Sequence, residues 1–390
     1  MSSSDTRSPT PAHRIPIAVA ALDTTGTTVF AGGVEIVLVP LHASSPLGLK
    51  GEGARVWRRL ISEPPVPTAS LSATDLQIVD DLEHMELVSP LSSHPSRVRT
   101  LHRPVLSSPS HELVYAVVAN VAREHGIRCV FVKGPALHRQ GIRDRDHSGD
   151  VDVWCDPRRW EDLIVALEPY GWRREPDPWF GTPVNHSATL VPGDWGCEID
   201  VHRRIPGMTL DDLAAFDAVF SDTVTEIHAG VPVVFPAPAP HAVIAALHAA
   251  RPEIGRGPRT ARSIEASADL LRRAPQSLEA VRRLGAFPAL EAEIELLAPA
   301  GTVAPLPGGS PRDWAWRAES SRVRAYFSAL REQRPTARMR LLLRLLWPPA
   351  DVTIESARRA GEPTDDVLRA RLRRLVRGIG EWVRSSRRGG

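Results

Sequence analysis

Short apolar runs and helical periodicities alternate along the first ninety residues. Three β-branched or apolar runs separated by glycines are typical of a small antiparallel hairpin unit. These runs lie at residues 15–21, 28–30 and 34–40. Two later segments, 51–61 and 74–85, carry apolar side chains at helical spacing. The pattern therefore predicts a small α+β unit of strands followed by helices.

A second block, in which strands and helices alternate, begins at Ser108-Pro109, a pair that favours a helix start. The predicted helices span 108–126, 135–141 and 156–168, and the predicted strands span 128–132, 150–155, 187–191, 196–202 and 231–235. From His241 onwards only helical periodicity is found. These helices are predicted at 241–251, 260–273, 276–284 and 289–297, followed by arginine-rich helices from residue 313 on.

These patterns predict an α+β protein in which a mixed sheet with helices forms the core. A disordered lead at 1–14 precedes an N-terminal unit at 15–90, and a Pro-, Ser- and Arg-rich linker follows at 91–107. The core is expected at 108–240 and a helical C-terminal region at 241–390. A chain of 390 residues is long enough for two or three such parts.

Composition narrows the class of protein. A net charge of +2 and 42% hydrophobic residues exclude an acidic disordered chain and a uniformly basic nucleic-acid binder, although they leave a local nucleic-acid contact open. The three cysteines form no disulfide framework or paired zinc spacing. The N-terminus lacks a signal-peptide core and no apolar stretch is long enough to span a bilayer. We therefore expect a cytoplasmic protein without a membrane partner.

Two short motifs in the core carry the chemistry. Lys133-Gly134 ends an apolar run, in a chain whose only other lysine is Lys50. Asp150 and Asp152 alternate on the next predicted strand, so their carboxylates share one face. This pattern suits a metal beside a phosphate group, although a D-x-D alone is also common at solvated strand ends.

A third motif lies on a later strand, where Asp200 and His202 alternate in the same way. If the two strands are neighbours, Asp150, Asp152 and Asp200 converge. Such oxygen ligands suit Mg²⁺ or Mn²⁺ with a nucleoside triphosphate as substrate. We predict these three aspartates as metal ligands and catalytic groups. Lys133, Gly134 and His202 are predicted to contact the nucleotide phosphates, with Lys133-Gly134 offering an ammonium and backbone N–H groups.

His202 has three alternative roles on this pattern. It is a strand histidine packed behind the site, an orienting partner of Asp200, or a general base near neutral pH. In the helix that follows the core, His248 either contacts phosphate or only packs the helix layer.

The ordered motifs Val-Lys-Gly-Pro-Ala-Leu, Ser-Gly-Asp-Val-Asp-Val and Cys-Glu-Ile-Asp-Val-His-Arg-Arg resemble an uncharacterised bacterial nucleotidyltransferase family of the DNA polymerase β-like superfamily. The resemblance covers about residues 108–275. It implies a polymerase β-like core in which Asp150 and Asp152 are paired metal ligands and Asp200 is the third carboxylate. Two departures leave activity open: the third carboxylate is Asp where the family has Glu, and the superfamily's phosphate-loop serine is missing beside Lys133.

The N-terminal unit resembles the PqqD-type peptide-recognition fold through LVPLHASSPLGLKGEGARVWRRLI. The resemblance implies a winged-helix-like domain, with a hairpin unit and three helices, that binds leader peptides of ribosomally made, modified peptides. The leader would add a strand to a sheet edge exposed near residues 34–40. The alternative is a small α+β cap that packs against the core.

These observations favour a magnesium-dependent nucleotidyltransferase that moves a nucleoside monophosphate from an NTP to an acceptor which the sequence does not name. A peptide precursor recruited by the N-terminal unit is one candidate acceptor. The alternatives are a non-catalytic leader-peptide-binding partner or scaffold, and a toxin–antitoxin or antibiotic-modifying nucleotidyltransferase with the same site.

Overall fold

The computed structural model describes residues 13–27, 30, 32–42, 45–91, 93–182, 184–254, 259–298, 311, 313–319 and 322–387. Most of the predicted lead at 1–14 lies outside the described residues. So do Thr28 and Val29 of the strand predicted at 28–30.

The described part of the N-terminal unit contains short strands and two α-helices. They are β1 (Ile15–Pro16), β2 (Ala20–Asp23), β3 (Ile36–Val39), β4 (Leu47–Leu49), α1 (Gly51–Leu60), α2 (Ala73–His84) and β5 (Val88–Ser89). The run at 15–21 is divided into β1 and β2 because β1 pairs with β5, whereas β2 pairs with β3. The third helix expected within 15–90 is not found among these elements.

The order β2-β3-β4 makes β3 the central strand of an antiparallel sheet. The prediction of an exposed edge near residues 34–40 is therefore wrong, because both sides of β3 carry ladder hydrogen bonds. Within the described residues, β4 forms the open edge of this sheet. At the opposite edge of the sheet, β2 pairs with part of the predicted linker through an isolated β-bridge between Leu22 and His102.

The core alternates helices and strands as the pattern predicts. Its elements are α3 (Pro109–Glu124), β6 (Cys129–Val132), α4 (Gly134–Arg139), β7 (Asp150–Cys155), α5 (Trp160–Ala166), β8 (Arg173–Arg174), β9 (Ser187–Val191), β10 (Glu198–His202), α6 (Asp212–Phe220), β11 (Thr223–His228) and β12 (Val231–Pro236). The sequence reasoning missed β8, α6 and β11. Helix α3 begins as expected, with Ser108 as N-cap and a proline in the first turn.

A mixed five-stranded sheet, in the order β6-β7-β10-β9-β8, forms the centre of the core. Strands β7 and β10 run parallel, and the other neighbours are antiparallel. The parallel register aligns Asp200 with Asp152. This confirms an α+β protein with a mixed sheet and helices, and it confirms that the two motif-bearing strands are neighbours.

The two faces of this sheet bury different residues. Val151, Val153 and Val201 on one face belong to the apolar cluster that includes helix α3. Val132 and Trp154 on the other face belong to a second cluster. Because side chains alternate along a strand, Asp152 and Asp200 lie on this second face.

The second face is covered by helices of the C-terminal region. This region comprises α7 (Pro238–Ala250), α8 (Ala261–Arg272), α9 (Ser277–Arg283), α10 (Glu291–Leu297), α11 (Arg322–Arg331), α12 (Pro335–Leu346), α13 (Ala350–Arg359) and α14 (Val367–Arg387). Helix α7 is apolar along most of its length and contributes Val243, Ile244 and Leu247 to the second cluster. Among the described helices, none combines the length and apolar character needed to cross a bilayer.

Candidate active site

Asp152, Asp200 and His202 form one cluster on the helix-covered face of the sheet. One potential ligand atom from each lies within 4.8 Å of the others. The cluster arises from the parallel pairing of β7 and β10, which places Asp200 beside Asp152 and carries His202 one alternate position further along. Two of the three predicted carboxylates therefore come together with a histidine.

Asp152 is the most buried member, with 2% of its surface exposed. Its Oδ1 atom contacts the Lys133 ammonium at 2.5 Å and accepts a hydrogen bond from His202 Nε2 at 2.8 Å. Burial alone raises the pKa of Asp152. The hydrogen bond from His202 and the charge of Lys133 outweigh it and hold this pKa below its usual range. Asp152 is thus a carboxylate at neutral pH.

The hydrogen bond to Asp152 identifies the partner of His202, whereas its expected role as a general base stays a prediction. Since Nε2 donates to a carboxylate, His202 orients Asp152, and the expected alternative in which it orients Asp200 is wrong. The Nδ1 atom is buried and has no hydrogen-bond partner among the described residues. A contact from His202 to nucleotide phosphate stays a prediction.

Asp200 is half-buried and is held by the neighbouring strand. Thr189 on β9 donates its hydroxyl to Asp200 Oδ1 at 2.6 Å. The Oδ2 atoms of Asp200 and Asp152 accept no hydrogen bond from the described residues. Each carboxylate therefore keeps one oxygen available. This fits Mg²⁺ or Mn²⁺, which typically take one or two protein carboxylates and complete their coordination with phosphate and water.

Asp150 lies at the start of β7, outside this cluster of three. It is half-buried, and its Oδ1 atom accepts a hydrogen bond from the Ser148 hydroxyl at 2.8 Å. It shares a strand face with Asp152, as the alternation predicts. Its role as a metal ligand stays a prediction.

Lys133 and Gly134 form a tight turn between β6 and α4. Both have positive φ angles, 62° and 60°, and such a conformation is strained for a lysine. The Lys133 N–H donates to His241 Nε2 at 2.8 Å, and His241 Nδ1 in turn contacts Gln140 Oε1 at 2.7 Å. Helix α7 therefore occupies the Lys133 N–H. The predicted contacts of Lys133 and Gly134 with nucleotide phosphates stay predictions.

Stability should depend on pH through His241. Burial lowers its pKa from 6.5 to about 3, so the unfolded chain binds more protons than the folded protein below pH 6.5. We expect the free energy of unfolding to fall as the pH drops from 6.5 toward 3, by up to about 1.4 kcal/mol per pH unit from this residue.

The variant His241→Gln tests this, because its amide cannot titrate but still offers an acceptor to the Lys133 N–H. Urea unfolding between pH 7 and pH 4 should show a shallower loss of stability than in the wild type. Equal slopes in the two proteins would contradict the assignment.

Sequence reasoning missed two arginines near the cluster. Arg251, at the end of α7, lines a narrow cleft together with Lys133, His202 and His248. It contacts His186 Nε2 at 2.9 Å. No carboxylate of the described residues lies within ion-pairing distance of Arg251. A sequence signal for Arg251 was present in HAVIAALHAAR, because a residue three positions after His248 lies on the same face of a helix.

Arg317 is the second arginine, and it comes from the segment that precedes α11. Its guanidinium stacks on the Trp316 ring at 4.6 Å. Burial and the charge of Arg251 lower the pKa of Arg317 to about 10. The negative charge of Asp313 acts in the opposite direction on both arginines and partly offsets their repulsion. No local pattern marks Arg317, because it follows the site by more than a hundred residues.

The fold and the site together define a class: an α+β protein whose mixed sheet presents carboxylates and a histidine to a narrow, helix-lined cleft bordered by Lys133 and Arg251. No protein-family model matches the chain. The search of curated proteins found no match either.

Several solved structures are similar to parts of the chain. The lincosamide antibiotic adenylyltransferase LnuA, bound to lincomycin, is 13% identical with a TM-score of 0.26, over 41% of this chain and 94% of its own. The antibiotic-resistance factor ANT(2'')-Ia is 16% identical with a TM-score of 0.30, over 48% and 94%. An antigenic nucleotidyltransferase-like protein from Paracoccidioides brasiliensis is 15% identical with a TM-score of 0.27, over 49% and 78%.

Proposed function

We propose that the protein is a divalent-metal-dependent nucleotidyltransferase. It transfers a nucleoside monophosphate from an NTP to a hydroxyl or phosphate acceptor and releases pyrophosphate. One observation carries this proposal: Asp152 and Asp200 lie in register on parallel strands beside Lys133 and Arg251. Each carboxylate has one oxygen that accepts no hydrogen bond from the described residues.

Each residue has a distinct task in this proposal. Asp152 and Asp200 hold a divalent cation, with Asp150 as a further ligand at the mouth of the site. A cation held there supplies charge stabilisation to the triphosphate. His202 fixes the orientation of Asp152 through its Nε2 hydrogen bond. Lys133 and Arg251 bind the phosphates, a role that requires no serine.

The reaction forms one bond and breaks one bond. The acceptor oxygen bonds to the α-phosphorus, and the bond between that phosphorus and the pyrophosphate oxygen breaks. Asp200 is half-buried and faces the site, so it is the carboxylate placed to accept the acceptor's proton before passing it to water. Positioning and charge stabilisation are the main needs of phosphoryl chemistry, and this cluster provides both.

A leader-peptide binder is the second candidate. The observation that favours it is the open edge of β4, where an extended peptide can add a strand to the N-terminal sheet. The two candidates are compatible if the peptide is the acceptor. Peptide binding at β4 without any nucleotide transfer would leave only the second.

Label transfer tests the proposed function. The protein is incubated with Mg²⁺, each α-³²P-labelled NTP in turn, and acceptor pools of peptides, small hydroxyl-bearing antibiotics, RNA and cell lysate. We expect label in one pool, stoichiometric release of pyrophosphate, and loss of both with excess EDTA. Added Mg²⁺ or Mn²⁺ should restore transfer.

The control separates transfer from contamination. The double variant Asp150→Asn/Asp152→Asn, purified in the same way, should transfer no label. If it transfers label as fast as the wild type, or if EDTA has no effect on the wild type, the proposal is wrong.

A further inference from the structure

Lys133 is unusual because lysine is rare in this chain and because its side chain pairs with a buried carboxylate. It is one of only two lysines among 48 basic Lys and Arg residues. Its side chain is 14% exposed and its partner Asp152 is 2% exposed, with 2.5 Å between Nζ and Oδ1. In a chain that otherwise uses arginine, a lysine therefore neutralises the most buried carboxylate of the site.

The backbone of Lys133 is fixed, whereas its side chain has rotatable bonds that allow the ammonium a second position. The strained φ of 62° and the hydrogen bond to His241 hold the main chain in place. The four-carbon stem of lysine lets the ammonium move by rotation alone, and a compact ammonium makes no bidentate fork with a carboxylate. Arginine at this position would give a more persistent pair with Asp152.

The oxygen that Lys133 contacts lies in the same cluster that fits a divalent cation. Asp152 Oδ1 carries both the ammonium and the His202 hydrogen bond, and Asp200 is within 4.8 Å of that group. Two cations at so short a range repel strongly, because the site is shielded from water. Lys133 and a divalent cation therefore compete for Asp152.

A second destination for the ammonium lies next to it. Lys133 lines the narrow cleft with His248 and Arg251, and no carboxylate of the described residues pairs with this arginine. A polyphosphate bound against Lys133 and Arg251, at the opening of this narrow cleft, would attract the ammonium away from Asp152. The ammonium then neutralises phosphate charge, and its repulsion of a metal at the remaining oxygen of Asp152 is relieved.

We propose that Lys133 is a displaceable counter-ion, which neutralises Asp152 in the metal-free protein and moves to the triphosphate when metal and nucleotide bind together. This inference rests on the proposed function and adds regulation to that site. Metal alone binds weakly because it must displace the ammonium. Metal and triphosphate each raise the affinity of the other, since the coupling between two sites is reciprocal.

Mn²⁺ binding, measured by electron paramagnetic resonance with and without inorganic triphosphate, tests the proposal. For Lys133→Met we expect Mn²⁺ alone to bind at least about 10-fold more tightly than in the wild type, because a repelling charge is gone. Triphosphate should no longer raise the Mn²⁺ affinity of this variant. Lys50→Met, at the only other lysine, is the matched control and should behave as the wild type.

Lys133→Arg gives an independent reading if the methionine variant does not fold. A persistent guanidinium–carboxylate pair should weaken Mn²⁺ binding about 10-fold relative to the wild type. Unchanged or weaker Mn²⁺ affinity in folded Lys133→Met would overturn the inference, as would unchanged affinity in Lys133→Arg.

Asp200→Asn separates this inference from the proposed function. If Asp200→Asn weakens Mn²⁺ binding but the Lys133 variants do not change it, only the counter-ion role fails. If Asp200→Asn leaves Mn²⁺ binding unchanged, the carboxylates do not hold a metal. Both the proposed function and the inference then fail.

Discussion

Asp200→Asn should lower the rate of nucleotide transfer by about 1,000-fold, because a carboxylate ligand contributes several kcal/mol to a metal-assisted transition state. The asparagine side chain is nearly isosteric with aspartate. Its amide oxygen can still accept the hydrogen bond that the Thr189 hydroxyl now donates to Asp200 Oδ1. Asp200 is half-buried and forms no ion pair with the described residues. The fold should therefore persist, and the loss should lie in the rate constant for transfer measured by single-turnover label incorporation.

Glu198→Gln is the matched control for this variant. Glu198 occupies the same strand face two residues earlier, but it is exposed and lies outside the carboxylate cluster. Its transfer rate should stay within a factor of about two of the wild type, since surface substitutions away from a site have small effects. Equal rates for Asp200→Asn and the wild type would exclude Asp200 from the chemistry.

Gly134→Ala should strongly destabilise the core. A Cβ at this position would lie 2.3 Å from the Tyr115 hydroxyl oxygen, and the φ of 60° is unfavourable for alanine. Overpacking and the left-handed backbone together cost roughly 2–5 kcal/mol. Urea unfolding at neutral pH should show this loss in the free energy of unfolding.

Tyr115→Phe offers a direct test of the cause. The Tyr115 hydroxyl is buried and has no hydrogen-bond partner among the described residues. Removing it should be nearly neutral by itself. In the double variant the nearest remaining ring atom is Cζ at 3.6 Å from the new methyl, an ordinary contact distance.

The double variant Gly134→Ala/Tyr115→Phe should therefore recover the steric part of the loss and keep only about 1–2 kcal/mol from the backbone. Such non-additivity is the signature of two groups in contact. If the double variant is no more stable than Gly134→Ala alone, the hydroxyl is not the obstacle.

The Asp200 and Gly134 variants test different properties of the same site, namely its chemistry and its structural support. The first tests chemistry on a strand, and the second tests the turn that places Lys133 against Asp152. A structural role for Gly134 predicts that transfer falls together with stability. A role for Asp200 in the chemistry predicts that transfer falls while stability is kept.

The strands that carry the site were predictable because their signal is local. The apolar alternation around Asp152 and Asp200 identifies β7 and β10 and states which side chains share a face. The N-terminal edge was not predictable in the same way. Residues 34–40 form a good strand by pattern, but whether a strand is central or at an edge depends on its neighbours, and β4 was missed.

The sequence by itself determined the types of most core elements, which residues share a face on β7 and β10, and the candidate chemistry of Lys133, Asp150, Asp152 and Asp200. Only the tertiary structure decided the partners of these polar groups. Lys133 and His241 are 108 positions apart, and His202 and Asp152 are 50 apart, yet each pair shares a hydrogen bond. Periodicity reports which face a side chain occupies, whereas the choice of partner depends on how distant segments pack together.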